Sequence, residues 1–182
     1  KLEPLLFKNF PTVILCSATL AAGGHFDFLK KRLGINTQQS IEKIYFSPFD
    51  FSRQALLAVP KDLPSPQEEG YFEGACSMIL EAIKIQPNGT FILCTSFSFL
   101  EKAYALLKPE LERLRFTVLK QGNQSKITLL NQFKQAKRPV LFATDSFWEG
   151  VDVQGGILKL VVITRLPFKV PDEPLVQAMA EK

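Results

Sequence analysis

The sequence predicts an α/β protein with a mostly parallel sheet and helices on both faces. Two observations carry this. From about Tyr71 onward the chain repeats one theme, an apolar run, a polar tip and an amphipathic helical stretch, which is the alternation that builds parallel sheets through crossover helices. The composition, 46% apolar and 22% charged over 182 residues, is ordinary globular composition and enough to bury one real core.

Taken in order, Thr12 to Ser17 (TVILCS) reads as a short buried strand feeding a loop over Ala18 to Gly24. His25 to Leu33 has Phe26, Leu29 and Leu33 at helical spacing and Gly34 as a stop, so a short helix is expected. From Ile35 to Ser52 the pattern is irregular, and Pro48 makes Tyr45 to Phe49 an extended, pinned segment. Gln54 to Val59 is a further strand candidate. Pro60, Pro64 and Pro66 mark Lys61 to Gly70 as a surface linker into a helix over Tyr71 to Ile85.

Pro87-Asn88-Gly89 then turns the chain into the first of four apolar runs: Thr90 to Cys94, Phe116 to Leu119, Pro139 to Phe142 and Leu158 to Ile163. Helices are expected over Phe99 to Leu114, with Leu100, Tyr104, Leu107 and Leu111 on one face, and over Gln124 to Gln135, around Leu129, Leu130 and Phe133.

The net charge of +4 suits a polyanionic partner, but the basic residues are scattered. Cys16, Cys76 and Cys94 stand far apart without a C-x-x-C pair, which argues against a zinc site or a disulfide framework and for a reducing, cytoplasmic compartment. The single histidine, His25, follows two glycines and reads as a loop residue. Sixteen Phe against one Trp and three Tyr are read mostly as core filling. No apolar run reaches the roughly 20 residues of a membrane span, and the start lacks the form of a signal peptide. The chain opens without Met and stops inside a plausible helix, so it is expected to be part of a longer protein.

In a parallel sheet, functional residues collect beyond the carboxyl ends of the strands. Four tips stand out: Ser17-Ala18-Thr19-Leu20, Thr95-Ser96-Phe97-Ser98, the stretch from Ala143 to Asp152, and Thr164-Arg165-Leu166-Pro167-Phe168. Hydroxyls and backbone amides there can hold phosphate oxygens, although Ser and Thr equally serve as helix caps. The third tip concentrates Asp145, Glu149 and Asp152 beside Gly150 and the only Trp. Such acids could bind a metal, relay protons, or accept hydrogen bonds from a ribose and a basic partner; the bland reading is an acidic loop capped by Gly150. No G-x-x-x-x-G-K-[ST] loop is present, so the chain is not a complete phosphate-loop NTPase.

The ordered set of tips resembles the DinG branch of the XPD-like superfamily 2 helicases. Ser17-Ala18-Thr19-Leu20 looks like motif III, Phe91 to Ser98 (FILCTSFS) like motif IV, and Thr144 to Gly155 (TDSFWEGVDVQG) like motif V; VVITRLPFKVPDEP, from Val161 to Pro174, is similar to the segment after motif V. The resemblance implies a RecA-like fold, with residues 1–25 the end of a first RecA-like domain or a connecting strand, and 26–182 a second domain cut before motif VI. It implies an enzyme that couples ATP hydrolysis, with Mg2+, to 5′-to-3′ movement on single-stranded DNA in repair or replication. Two RecA-like domains of one polypeptide clamp the nucleotide, so this chain would supply half of the cleft and be inactive alone. Glu149, Gly150 and Asp152 would then lie on the nucleotide side, Thr95, Ser96, Thr144 and Ser146 would face DNA, and Ser17, Ala18 and Thr19 would form the coupling motif. The four-cysteine iron-sulfur region of the family is missing here, so any cluster would belong to the parent protein. Two rivals stay open: a RecA-like module that binds nucleic acid or protein without an NTPase role, and another α/β enzyme with its site at the same tips, such as a phosphate-ester hydrolase, for which no nucleophile constellation is apparent.

Overall fold

The computed structural model describes residues 2–36, 40–148, 150–153 and 156–166. The chain divides into two compact units, Lys1–Val59 and Pro60–Lys182, with the division at the start of the proline-rich stretch.

The larger unit is the expected α/β sheet. Helix α3 (Tyr71–Ile85) leads into β1 (Gly89–Leu93), followed by α4 (Phe97–Arg113), β2 (Thr117–Lys120), α5 (Lys126–Gln135), β3 (Pro139–Ala143), a 3-10 turn over Asp145–Phe147, and β4 (Leu158–Ile163). The strands lie in the order β2-β3-β1-β4, and all three pairings are parallel. Every residue of β1 and of β3 is buried, because these central strands are covered on both faces and flanked on both sides.

Strand alternation divides the apolar side chains between two cores. On one face Ile92, Val140 and Phe142 pack with Ile79 and Ile83 of α3 and with Leu100, Ala103, Leu107 and Leu111 of α4. On the other, Phe91, Leu93 and Leu141 pack with Leu129 and Phe133 of α5. Helices therefore cover both faces, as a RecA-like domain requires. Helix α4 begins two residues before the expected Phe99 because Ser96 caps it, its Oγ accepting from the Phe99 N–H at 3.2 Å. Ser125 caps α5 likewise through the Thr128 N–H at 3.2 Å. Among the described residues no helix is long and apolar enough to cross a membrane.

Gly89 is required by close approach. Its N–H donates to the Ile157 carbonyl at 3.1 Å, and a Cβ there would collide with that carbonyl oxygen and stand 3.0 Å from Phe133 Cζ. Backbone cannot give way as a flexible side chain would. Gly89→Ala is therefore expected to destabilise the domain by about 1–3 kcal/mol, the range of overpacking, read as a lowered melting temperature; an unchanged melting temperature would show that the β1 entry relaxes freely.

The smaller unit departs from the sequence reading. Helix α1 (Asp27–Leu33) forms and ends as expected at Gly34, which is left-handed at φ 76° and donates to the Lys30 carbonyl. Residues 12–17 and 55–59, expected as strands, form none. Gln54 instead closes a single helical turn, α2 (Phe51–Gln54). An apolar run becomes a strand only where a neighbour supplies ladder partners and cover. Here Ile14 is 84% exposed and Leu56 94% exposed, and no strand pairs with either run among the described residues. A five-residue π-helical turn, Glu3–Phe7, was not anticipated.

Candidate nucleotide and nucleic-acid edge

Because β1 pairs with β3 and with β4, the tips after these strands come out side by side at one edge of the sheet. At the β1 tip, Cys94 N–H donates to the Ala143 carbonyl at 2.8 Å, tying this tip to that of β3. Thr95 and Ser96 follow, both exposed. The Cys94 thiol is pushed up to about 12 by burial, against a hydrogen bond from Thr164, so it is not a nucleophile at neutral pH. At the β4 tip, Thr164 donates to the Leu93 carbonyl through its N–H at 3.1 Å and its hydroxyl at 3.2 Å. The Tyr71 hydroxyl donates to the Thr164 carbonyl, which brings the start of α3 to the same edge.

Between these tips opens a cavity of about 410 Å³ whose polar lining includes Thr95, Ser96, Ser98, Lys102 and Arg165. Lys102 and Arg165 share this lining with Glu68 and Glu73, so the wall is polar and balanced in charge, with the Thr95, Ser96 and Ser98 hydroxyls at the start of a 17-residue helix.

The β3 tip is held differently. Thr144 is 3% exposed. Its N–H and its hydroxyl both donate to Gln121 Oε1, at 2.7 and 3.0 Å. Ser146 is exposed, and its Oγ accepts from Gln121 Nε2 at 3.0 Å. The Lys126 ammonium donates to the Ser146 carbonyl at 2.6 Å and stands 5.4 Å from the Phe147 ring centroid. Gly150 is left-handed at φ 63°, a conformation that glycine adopts without strain, and Asp152 is exposed beyond it. Glu149 lies outside the described residues, as do Pro167 and Phe168 of the fourth tip.

The sheet thus gathers Thr95, Ser96, Thr144 and Ser146 at one edge, with Gly150 and Asp152 in the loop that follows. Ser17, Ala18 and Thr19 belong to the smaller unit, where they form a local turn: the two hydroxyl oxygens lie 3.2 Å apart and Thr19 N–H donates to Ser17 Oγ at 3.2 Å. Gln121 and Lys126 were missed. The rule that selected the other tips would have found Gln121, since it follows β2 directly, but glutamine does not announce itself as a phosphate or cap residue.

Among the described residues the four-stranded parallel sheet, with helices on both faces and a polar C-terminal edge, is an α/β arrangement consistent with a RecA-like domain. The chain belongs to the helicase C-terminal domain family, which residues 79–182 match, and within it to the DinG type. It is 42% identical over 168 residues to the ATP-dependent DNA helicase YoaA of Haemophilus influenzae, covering 92% of this chain and 26% of that relative. The Escherichia coli protein of the same name is 40% identical over 185 residues, 100% of this chain and 28% of that relative. The 3'-5' exonuclease DinG of Bacillus subtilis is 33% identical over 180 residues, 96% of this chain and 19% of the relative. The chain spans roughly a quarter of the length of these relatives, from 19% to 28%.

Proposed function

We propose that this chain works as the second RecA-like domain of an ATP-dependent DNA helicase. In this reading residues 26–182 belong to that domain, whose sheet lies in the unit Pro60–Lys182, and residues 1–25, which hold no strand among the described residues, are the end of the first RecA-like domain or a segment connecting the two. The observation that carries the reading is the placement of two hydroxyl-bearing tips, Thr95-Ser96 and Thr144 to Ser146, beside each other at the carboxyl edge of a parallel sheet. The names of the relatives support the same activity.

In this reading Thr95, Ser96 and Ser146 face the backbone of single-stranded DNA, and Thr144, with its hydroxyl bound to Gln121, contributes by placing that tip. Glu149, Gly150 and Asp152 take the nucleotide side. A glycine keeps the backbone approachable there and an exposed carboxylate can accept from a ribose, which fits a nucleotide. ATP supplies the phosphoryl group to be cleaved and Mg2+ neutralises its charge; the phosphate-binding loop and the magnesium ligands would come from the first domain of the same polypeptide. Ser17, Ala18 and Thr19 act as the coupling motif between the two. Movement is 5′-to-3′, in repair or replication, within the cytoplasm, a compartment that the absence of paired cysteines supports.

The test is ATP hydrolysis by the full-length protein with and without single-stranded DNA. Hydrolysis should rise with DNA in the full-length protein and be negligible for this chain alone. Robust hydrolysis by the isolated chain, or hydrolysis indifferent to DNA, would overturn the reading.

A further inference from the structure

The Gln121 carboxamide stands where the tips of β2 and β3 meet, and its orientation follows from chemistry. A backbone N–H can only donate, so the atom 2.7 Å from the Thr144 nitrogen must be the oxygen, Oε1. The amide nitrogen is thereby left facing Ser146, 3.0 Å from its Oγ. An amide nitrogen has no lone pair to offer, so in this contact Ser146 Oγ is the acceptor. A serine hydroxyl carries one proton. With one lone pair engaged by Gln121, that proton is kept off the amide nitrogen and is available to a ligand at Ser146, an exposed residue. The Lys126 ammonium, 2.6 Å from the Ser146 carbonyl, adds positive charge at the same place.

We propose that Gln121 is a positioning residue that fixes the polarity of Ser146, so that its hydroxyl presents a donor to a phosphate oxygen of single-stranded DNA. The inference rests on the DNA-facing reading of Ser146 given above. It assigns to Gln121 a function that packing alone would not require: any side chain able to accept from Thr144 would anchor the tip, but only one that also donates to Ser146 turns the serine proton toward the ligand.

Gln121→Glu separates the two roles. The carboxylate keeps the shape of the side chain and accepts both Thr144 donors, so the tip stays anchored. Its second oxygen also accepts, which turns the Ser146 proton inward and presents lone pairs to the phosphate. Binding of a fluorescein-labelled oligo-dT to the full-length protein, at one fixed salt concentration, is measured for wild type, Ser146→Ala, Gln121→Glu and the double variant. Ser146→Ala should weaken binding about tenfold in the wild-type background, the value of a hydrogen bond to a charged group. In the Gln121→Glu background the same substitution should change binding less than about twofold, because repulsion from the added charge is common to both arms of the cycle and cancels. Equal losses from Ser146→Ala in both backgrounds would make Gln121 merely structural and overturn the proposal. So would a Ser146→Ala variant that binds like wild type. If wild type itself does not bind the oligonucleotide, the DNA reading of the edge fails, which is a distinct result. Should Gln121→Glu not fold, Gln121→Met, similar in length, replaces it; because Met removes the acceptor for Thr144 along with the donor to Ser146, Thr144→Ala, which loosens the anchor and keeps the donor, is measured beside it. The loss from Ser146→Ala should shrink to roughly threefold with Gln121→Met and stay about tenfold with Thr144→Ala; an undiminished loss with Gln121→Met, or an equal shrinkage in both, would overturn the proposal.

Discussion

Asp152→Ala should cut DNA-stimulated ATP hydrolysis by the full-length protein tenfold to hundredfold while leaving binding of single-stranded DNA in place. The magnitude follows from the bond at stake. A carboxylate that accepts from a nucleotide hydroxyl or pairs with a cation makes a charged hydrogen bond of about 1.5–3 kcal/mol, and each ~1.4 kcal/mol is tenfold in rate. Asp152 is exposed, so its loss opens no cavity and the variant should melt near the wild-type temperature. Position decides the partition between the two activities: Asp152 lies eight residues beyond Thr144, past the left-handed Gly150, whereas Thr95, Ser96 and Ser146 sit at the strand tips themselves. Asp152→Asn, which keeps the shape and one accepting oxygen, should recover part of the rate. Hydrolysis unchanged in Asp152→Ala would remove Asp152 from the nucleotide cleft and with it the roles given to Glu149 and Gly150.

The larger unit was legible because its signals are local and agree with each other. Leu158 to Ile163 was expected as a strand and is one, and Tyr71 to Ile85 was expected as a helix and is one. The smaller unit was not, because Thr12 to Ser17 and Gln54 to Val59 have strand-like composition but no ladder partner among the described residues, and Leu57 remains 86% exposed. Composition sets what a run can become; pairing sets what it does become. The same distinction operates at the edge. Thr144 and Ser146 look equivalent as sequence, two hydroxyls two residues apart, yet one is buried and donates to Gln121 while the other is exposed and accepts from it. That difference is written 23 residues away, at Gln121, where no local pattern points to it.

Phe133→Ala should strongly destabilise the sheet domain, lowering its stability by about 3–5 kcal/mol, the range for emptying a buried aromatic site. Phe133 is fully buried and meets Phe91 of β1 edge-on, with ring centroids 4.7 Å apart at 69°. It also fills the space that Gly89 leaves by having no side chain. Leu129 and Phe133 are the buried residues of α5, so removing the ring takes away much of what holds this helix to the sheet. The consequence should reach the functional edge, because the first residue of α5 is Lys126, whose ammonium holds the Ser146 carbonyl. In denaturant the midpoint should fall with little change in slope, the mark of lost stability rather than altered compactness. Amide exchange should quicken first across Lys126 to Gln135, and DNA binding should weaken at temperatures where the sheet is still folded. A loss below about 1 kcal/mol would mean that α5 is held chiefly by its caps and by Leu129, and that the edge is uncoupled from this core.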